Sequence, residues 1–463
     1  MKPLRFFPGA LVLLATTAFS QPPDTLWSRL VPPPGDTYPP WEECRPYDVK
    51  TTRAGSFLIG GGTWYTIPGG PSYGAGFAAL LDSEGTIVWR VAVRQMAEIR
   101  SVAIAPDGGF MLFGSSGLSV TLCKLDSGGT VLWCDSCYGD VHANAKWIEP
   151  VPEGGFVLAG QRFGSPAGPF LAAVDDLGDT LWTHVYADSG WGGAFCVKPV
   201  TSGGYVAVGL VNRNQPANFP YLLKTDRSGN LSWMRTYEGG SGLPRFNFLI
   251  ELPDQQYLTC GSIGGTSAVV RIDTLGEVVW SRPVPYPADR LAATRDSGAV
   301  ITQLYSYAAD PHLRRIDNAG NVLWQWLNPL GNIFYGAVDT TSDGGYVVSG
   351  QLGSQAVVIR LGPDPALRET DRRRAVAFST ELFSFPNPFN LSTTISFSLP
   401  REGRARIAMF DILGREVAVL ADNVFTAGEH RIMFDGSSLP SGLYFARLQS
   451  GNMQATHKLL LMK

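Results

Sequence analysis

The chain has few charges. Asp, Glu, Lys and Arg make up 17% of its 463 residues, and the formal net charge is −3. That balance offers no basic footprint for nucleic acid. Histidine is scarce, at five copies, and none sits in a His-Glu-x-x-His pair. A phosphate-cradling glycine loop is also missing. Ready-made zinc-protease and nucleotide-binding readings are therefore excluded. Long apolar runs are lacking too. Ala10-Leu-Val-Leu-Leu-Ala15 falls short of the roughly 20 apolar residues a membrane span requires. With Lys2 and Arg5 ahead of it and Ala18-Phe-Ser20 behind, residues 1–20 read as a secretory signal peptide. There are six cysteines: Cys44, Cys123, Cys134, Cys137, Cys196 and Cys260. Cys134-Asp-Ser-Cys137 stands alone, without the second pair or the histidine a zinc site needs, so a local disulfide or buried thiols are expected.

Glycine and proline are abundant, at 53 and 33 copies, and aromatics reach 11%. Without long helical periodicity, that composition points to an all-β protein. One skeleton recurs: Asp, two residues, Gly, three residues, Trp. It ends at Trp89, Trp133, Trp182, Trp233, Trp280 and Trp324, in steps of 44 to 51 residues. The Asp side chain can bond backbone N–H groups two residues on, and the Gly suits a turn end that needs positive φ. A fully buried Trp contributes at most roughly 4–6 kcal/mol, from about 150–250 Å² of surface. Repeated around a ring, it can wedge one sheet against the next.

A second signature runs in phase with the first. It reads Asp107-Gly-Gly-Phe110, Glu153-Gly-Gly-Phe156, Ser202-Gly-Gly-Tyr205 and Asp343-Gly-Gly-Tyr346. Worn copies stand at Ala54–Phe57, Asp254–Tyr257 and Asp296–Ala299. Seven copies at this period predict a seven-bladed β-propeller over residues 21–362, each blade being four strands A to D. Asp24-Thr-Leu-Trp27 looks like the end of a D strand without its blade, and the last repeat lacks its own Gly-x-x-x-Trp. Residues 24–30 are therefore expected to close the last blade, pairing two edges that would otherwise stay open. Residues 363–382 read as a charged linker, and residues 383–463 as a small β-sandwich.

The A–B and C–D turns are alike from copy to copy, whereas the D–A and B–C connections differ. The variable loops share one face, which makes it the candidate binding face. Its candidate ligand-binding residues are Trp41, Trp64, Tyr65, His142, Trp191, Tyr237 and Tyr305, since rings with an apolar face and a polar tip suit sugars or peptides. No catalytic, metal or cofactor site is assigned. The repeat Asp residues are explained by turns. A carboxylate pair for glycoside chemistry would have to come from loop residues such as Glu42, Glu43, Asp140, Asp188 or Asp289.

Two resemblances add to this reading. Phe385-Pro-Asn-Pro-Phe-Asn390, Phe410-Asp-Ile-Leu-Gly-Arg-Glu-Val417, Ala427-Gly-Glu-His430, Leu439-Pro-Ser-Gly-Leu-Tyr-Phe445 and Lys458-Leu-Leu-Leu-Met-Lys463 resemble the C-terminal sorting domain of the type IX secretion system. The same segment looks like the Ig-like domain of flagellar hook-capping proteins. The first resemblance implies periplasmic transit, contact between residues 383–463 and the type IX machinery, and an address outside the cell or on its outer surface. The Asp-x-x-Gly-x-x-x-Trp repeats resemble the tryptophan-docking repeats of pyrroloquinoline-quinone propellers, which implies shape. That family has eight blades and a vicinal Cys-Cys pair; this chain has no such pair, so no cofactor is expected. The leading expectation is a non-enzymatic extracellular or surface binding module. The alternative is an extracellular enzyme on the same scaffold, polysaccharide-active or quinone-dependent, and a third reading is an adhesive surface component.

Overall fold

The computed structural model describes residues 21–34, 42–66, 72–117, 119–136, 143–186, 191–212, 218–240, 244–285, 287–303, 305–306, 313–330, 333–367, 382–399, 403–426, 428–451 and 453–463. Residues 1–20, Trp41, Cys137, Asp140, His142 and Asp188 lie outside them, as do the side chains of Tyr65 and Tyr305. The chain divides into two units, residues 1–367 and 368–463.

The first unit is all-β. Antiparallel four-stranded sheets follow one another in chain order at 43–93, 98–136, 143–185, 191–236, 246–283 and 288–326. A further sheet joins Ile333–Thr340, Tyr346–Leu352 and Gln355–Leu361, with Tyr305–Ser306 on one edge and Thr25–Val31 on the other. Thr25–Val31 runs antiparallel to Gln355–Leu361, with Trp27 opposite Arg360 and Val31 opposite Ala356. The sheets' first strands are Glu43–Thr51, Glu98–Ile104, Ala143–Pro150, Trp191–Pro199, Phe246–Glu251, Ala288–Ala293 and Ile333–Thr340. Each packs on the next, and Ile333–Thr340 packs back on Glu43–Thr51. The sheets therefore form a closed ring with these strands innermost.

The repeated residues make the joints between sheets. Asp82 Oδ1 accepts from the Glu84 and Thr86 amides at 2.9 and 2.8 Å, and Asp273 and Asp317 cap their turns in the same way. The turn glycine then serves twice. Gly129 has φ +84, and a Cβ there would lie 2.5 Å from the Trp89 ring of the preceding sheet; at Gly178, φ +93, it would lie 2.3 Å from Trp133. The same contact recurs between Gly85 and Trp27, Gly229 and Trp182, Gly276 and Trp233, and Gly320 and Trp280. Each indole thus lies on a surface that only glycine leaves open. The ring edge meets the aromatic of the next sheet's second strand, as in Trp89 with Phe110 at 5.6 Å and Trp182 with Tyr205 at 5.6 Å. Trp27 and Trp89 donate Nε1–H to Ser83 and Ser127 carbonyls of the following turn. These indoles are half-buried. Of the repeat tryptophans only Trp324 is fully buried, so it alone approaches the energy expected of full burial.

Trp324 is also where the repeat changes. The sheet after it has no Asp-x-x-Gly turn, and Asp364 takes that place. Its carboxylate accepts from Trp324 Nε1 (2.8 Å), Arg315 Nε (2.8 Å), Tyr346 OH (2.6 Å) and the Ala366 amide (2.9 Å). Arg315 and Asp364 are both buried. This network keeps residues 363–367 with the first unit, so the ring extends past Gly362 and the segment expected to start the linker is partly core.

The cysteines pair differently from the local Cys-x-x-Cys. Cys123 and Cys134 face each other on adjacent strands and form a disulfide. Cys44, Cys196 and Cys260 are buried free thiols. Burial pushes Cys44 up to about 12 and Cys196 up to about 11, which leaves both as inert thiols.

The second unit contains two sheets. One orders Leu382–Phe385, Ser392–Leu399 and Gly428–Asp435; the other orders Glu416–Phe425, Gly403–Asp411, Gly442–Ser450 and Met453–Leu461. Their buried residues, among them Ile395, Phe397, Ile407, Met409, Leu448 and Leu459, form one cluster. The sequence words resembling a sorting domain are its fasteners. Asn387 donates to the Lys458 carbonyl and accepts from the Leu460 amide, while the Phe389 backbone bonds Leu460 and Met462. The opening Pro-Asn-Pro-Phe word is thereby tied to the final strand. Asp411 caps its turn through the Leu413 and Arg415 amides, and Tyr444 OH reaches the Pro440 carbonyl.

Candidate functional site

The innermost strands share an irregularity. Each pairs regularly with its neighbour except for one inserted residue, which falls at Tyr47, Arg100, Lys146, Phe195, Asn247 and Asp289, and at residues 335–336 in the last sheet. A bulge leaves its extra residue unpaired and re-aims the side chain. One residue further on, the side chains of different sheets meet across the ring. Trp147 of the third sheet has Lys50 of the first sheet over its ring at 4.5 Å, Lys198 of the fourth at 5.2 Å and Arg290 of the sixth at 4.9 Å. Contacts from sheets so far apart place Trp147 on the axis, where it is fully buried and acts as a plug.

Towards the turn face, the plug rests on a balanced ionic layer. Glu149 accepts from Lys198 Nζ and Trp147 Nε1, both at 2.8 Å. Burial opposes its charge, but Lys198 and Lys50 outweigh that and hold its carboxyl below the usual range. Burial likewise opposes the Lys50 charge, yet Asp48, Glu149 and Asp339 together raise its pKa. Asp339 is raised by burial, against the pull of Lys50. Asp48 is spent on Ser101 Oγ (2.9 Å) and the Val102 amide (3.0 Å). A cavity of about 770 Å³ opens on this face between the first-strand turns, lined by residues such as Arg53, Ile104, Pro106 and Val151. A smaller one, about 470 Å³, reaches Asp339.

Above the plug, towards the variable loops, the bulge residues form an unbalanced arc. The Arg100 guanidinium lies 4.6 Å from the Tyr47 ring, and Lys146 Nζ and the Arg245 guanidinium lie 5.6 and 5.5 Å from the Phe195 ring. Arg100 is paired with Glu98 at 2.6 Å. Arg245 donates Nε–H to Asn247 Oδ1 at 2.7 Å. Among the described residues, Lys146 has no carboxylate within ion-pair distance. Burial, together with Arg100 and Arg245 and against Glu98, pulls Lys146 down to about 8. All of these side chains are half-buried. Arg290 Nε, Gln161 Nε2 and the Gln303 amide are buried and have no hydrogen-bond partners among the described residues.

Of the candidate loop residues, Trp191, Trp64 and Tyr237 have described side chains. Trp191, 43% exposed, starts the strand that carries Phe195. Trp64 is half-buried, with the Arg45 guanidinium 5.1 Å from its ring. Tyr237 is committed elsewhere: it stacks on Phe246 at 5.3 Å and donates its OH to the Gly276 carbonyl of the next sheet at 3.0 Å. Trp41 and His142 lie outside the described residues, and for Tyr65 and Tyr305 only the backbone is placed, on strands. Glu43 is held by Arg45 at 2.9 Å and by Gln351. Burial works against its charge, but those partners leave the carboxyl below its usual range. Among the described residues, no group of three or more His, Cys, Asp and Glu is placed to hold a metal ion.

The arc was missed from sequence because its chemistry differs in every copy. Its position was legible. Each of the six named bulge residues stands seven positions before the first residue of the repeated A–B turn, as Arg100 does before Asp107 and Lys146 before Glu153.

No curated protein matches the chain. Residues 384–462 match the family model of the secretion system C-terminal sorting domain. The C-terminal unit is a type IX sorting domain. A chain bearing this domain is exported to the cell surface or secreted, and no helix among the described residues is long and apolar enough to cross a membrane. Among solved structures, a catalytically inactive virginiamycin B lyase from Staphylococcus aureus, crystallised with quinupristin, is similar at 11% identity and TM-score 0.51, over 72% of this chain and 99% of that one. This likeness concerns fold alone, and with the ring of sheets it makes the first unit propeller-like. PorZ, described as a surface component of the type IX system of Porphyromonas gingivalis, aligns at 12% identity and TM-score 0.47, over 90% of this chain and 59% of that one.

Proposed function

We propose that this chain is an exported, non-enzymatic binding module: a seven-bladed β-propeller of residues 21–367, closed by residues 24–30, behind a signal peptide at 1–20 and joined by a linker to a small Ig-like β-sandwich at 383–463 that engages the type IX machinery. It binds its extracellular ligand at the loop-face mouth of the axis. One observation carries the binding assignment: every innermost strand bulges at the same height, and the residues so aimed are the variable ones. A rigid ring with a variable axial mouth is the arrangement of a recognition site.

The carboxylates on the loop-face side fit binding better than glycoside hydrolysis. That chemistry needs one acid with a raised pKa facing a second carboxylate. Glu43 is instead lowered and ion-paired, and Glu98 is paired with Arg100. The enzymatic alternative draws support from Lys146, whose depressed pKa suits a general base. The test is a glycan and peptide array probed with the purified full chain. Selective retention without turnover supports the binder. Time-dependent conversion of a retained ligand, lost in Lys146→Arg, supports the enzyme and overturns this reading.

A further inference from the structure

Among the described residues of the arc, the cations Arg100, Lys146 and Arg245 have one ion-paired carboxylate between them, Glu98 on Arg100. Running round the axis, the first five sheets contribute Tyr47, Arg100, Lys146, Phe195 and then Arg245 with Asn247. Glu98 is the acid beside Arg100, Asp289 enters from the sixth sheet, and Arg45 on the first is answered by Glu43. Two features stand out. The cations lie on aromatic faces, which hold them in place without supplying hydrogen-bond acceptors. Their donors are largely unspent: among the described residues the Lys146 ammonium has no carboxylate partner, and Arg245 uses only Nε on Asn247. Half-buried cationic N–H groups that flank one aromatic ring, as Lys146 and Arg245 flank Phe195, are suited to receive a carboxylate. The exposed indole of Trp191, at the start of the strand that carries Phe195, supplies flat apolar surface of the kind that takes the C–H face of a sugar ring.

We propose that Lys146 and Arg245, with Arg100 beside them, form a subsite for the carboxylate of an acidic glycan, a uronate-bearing saccharide whose ring rests on the aromatic rim. This deepens the binding assignment above and rests on it. Binding is non-covalent and needs the Lys146 ammonium. Burial and the neighbouring cations Arg100 and Arg245 pull Lys146 down to about 8 in the free protein. The charged groups facing it are Arg45, Arg100, Arg245, Glu43, Glu98 and Asp289. Affinity should therefore be full below pH 8 and fall as pH rises through the Lys146 titration.

The experiment is calorimetric titration of the full chain with oligogalacturonate, with its fully methyl-esterified counterpart, and with polyglutamate of matched charge. The subsite predicts binding of the acid and at least about tenfold weaker binding of the ester, since a charge-assisted hydrogen bond is lost. Lys146→Met and Arg245→Ala should each weaken the acid by about tenfold or more. Lys146→Arg should retain binding and flatten its pH dependence, and Arg227→Ala, an exposed pair on the turn face, should change nothing. A thermal melt of each variant separates loss of binding from loss of fold. Equal affinity for acid and ester, or unchanged affinity in folded Lys146→Met, overturns the subsite but leaves a neutral-ligand module standing. Polyglutamate binding as tightly as oligogalacturonate overturns the glycan assignment. Absence of oligogalacturonate binding overturns the subsite, and the array result then decides separately whether the module binds anything.

Discussion

At the scale of single residues, backbone geometry makes demands that the sequence meets unevenly. The first-strand turns place a residue in the left-handed region at Gly55, Gly108, Gly154, Gly203 and Gly344, but also at Gln255 (φ 64) and Ser297 (φ 65). A side chain there costs about 1–2 kcal/mol relative to glycine, part of which glycine returns through the entropy of the unfolded chain. Gln255→Gly and Ser297→Gly should each raise stability by up to about 1 kcal/mol in urea unfolding, whereas Gly129→Ala should cost more, because its Cβ meets the Trp89 ring at 2.5 Å. Lys146 has the opposite signature. Its folded pKa lies below the ordinary lysine value of 10.5, so unfolding takes up a proton between pH 8 and that value. Stability therefore rises with pH across that window, and at neutral pH the charge is a liability to the fold. Lys146→Met should raise the melting temperature at pH 7, with the gain shrinking as pH approaches 10. A residue that costs stability yet sits at the mouth is what a binding role predicts.

At the scale of elements, the regular joints and the irregular seam behave differently. The C–D turns were readable in the sequence because one residue does two jobs there. The glycine needs positive φ and must also leave room for the neighbour's indole, so the spacing from Asp to Gly to Trp admits little variation. The worn first-strand turns were readable only by phase, since Gln255 and Ser297 hold the conformation without the residue that advertises it. The bulges were not readable as chemistry, because a bulge fixes where a side chain points and not which one it is. The seam was half readable. The stray Asp-Thr-Leu-Trp27 marked a strand in search of a sheet, but Asp364 looked like part of a solvated linker, and only the packed structure brings it against Arg315, Tyr346 and Trp324. Asp364→Ala leaves the Arg315 guanidinium buried with fewer partners and should cost about 3–5 kcal/mol, measurable as a lowered unfolding midpoint. Removing residues 21–31 exposes the Gln355–Leu361 edge, including Val357, Val358 and Ile359, all buried in the intact chain. That variant should self-associate in sedimentation, because an uncovered apolar edge templates pairing.

At the scale of the whole molecule, two units divide the labour. The ring is held by contacts between neighbouring sheets and presents one variable mouth. The C-terminal unit has its own core and fasteners, with Asn387 and Phe389 stitched to the last strand, and it carries the export address. In fractionated cells, the most direct test compares the full chain with a version lacking residues 383–463. If the ring is the cargo and the tail its address, the truncated chain accumulates in the periplasm as a folded protein that melts at the ring's own temperature, and none reaches the surface or the medium. Export of the truncated chain at the full-length level would contradict the account.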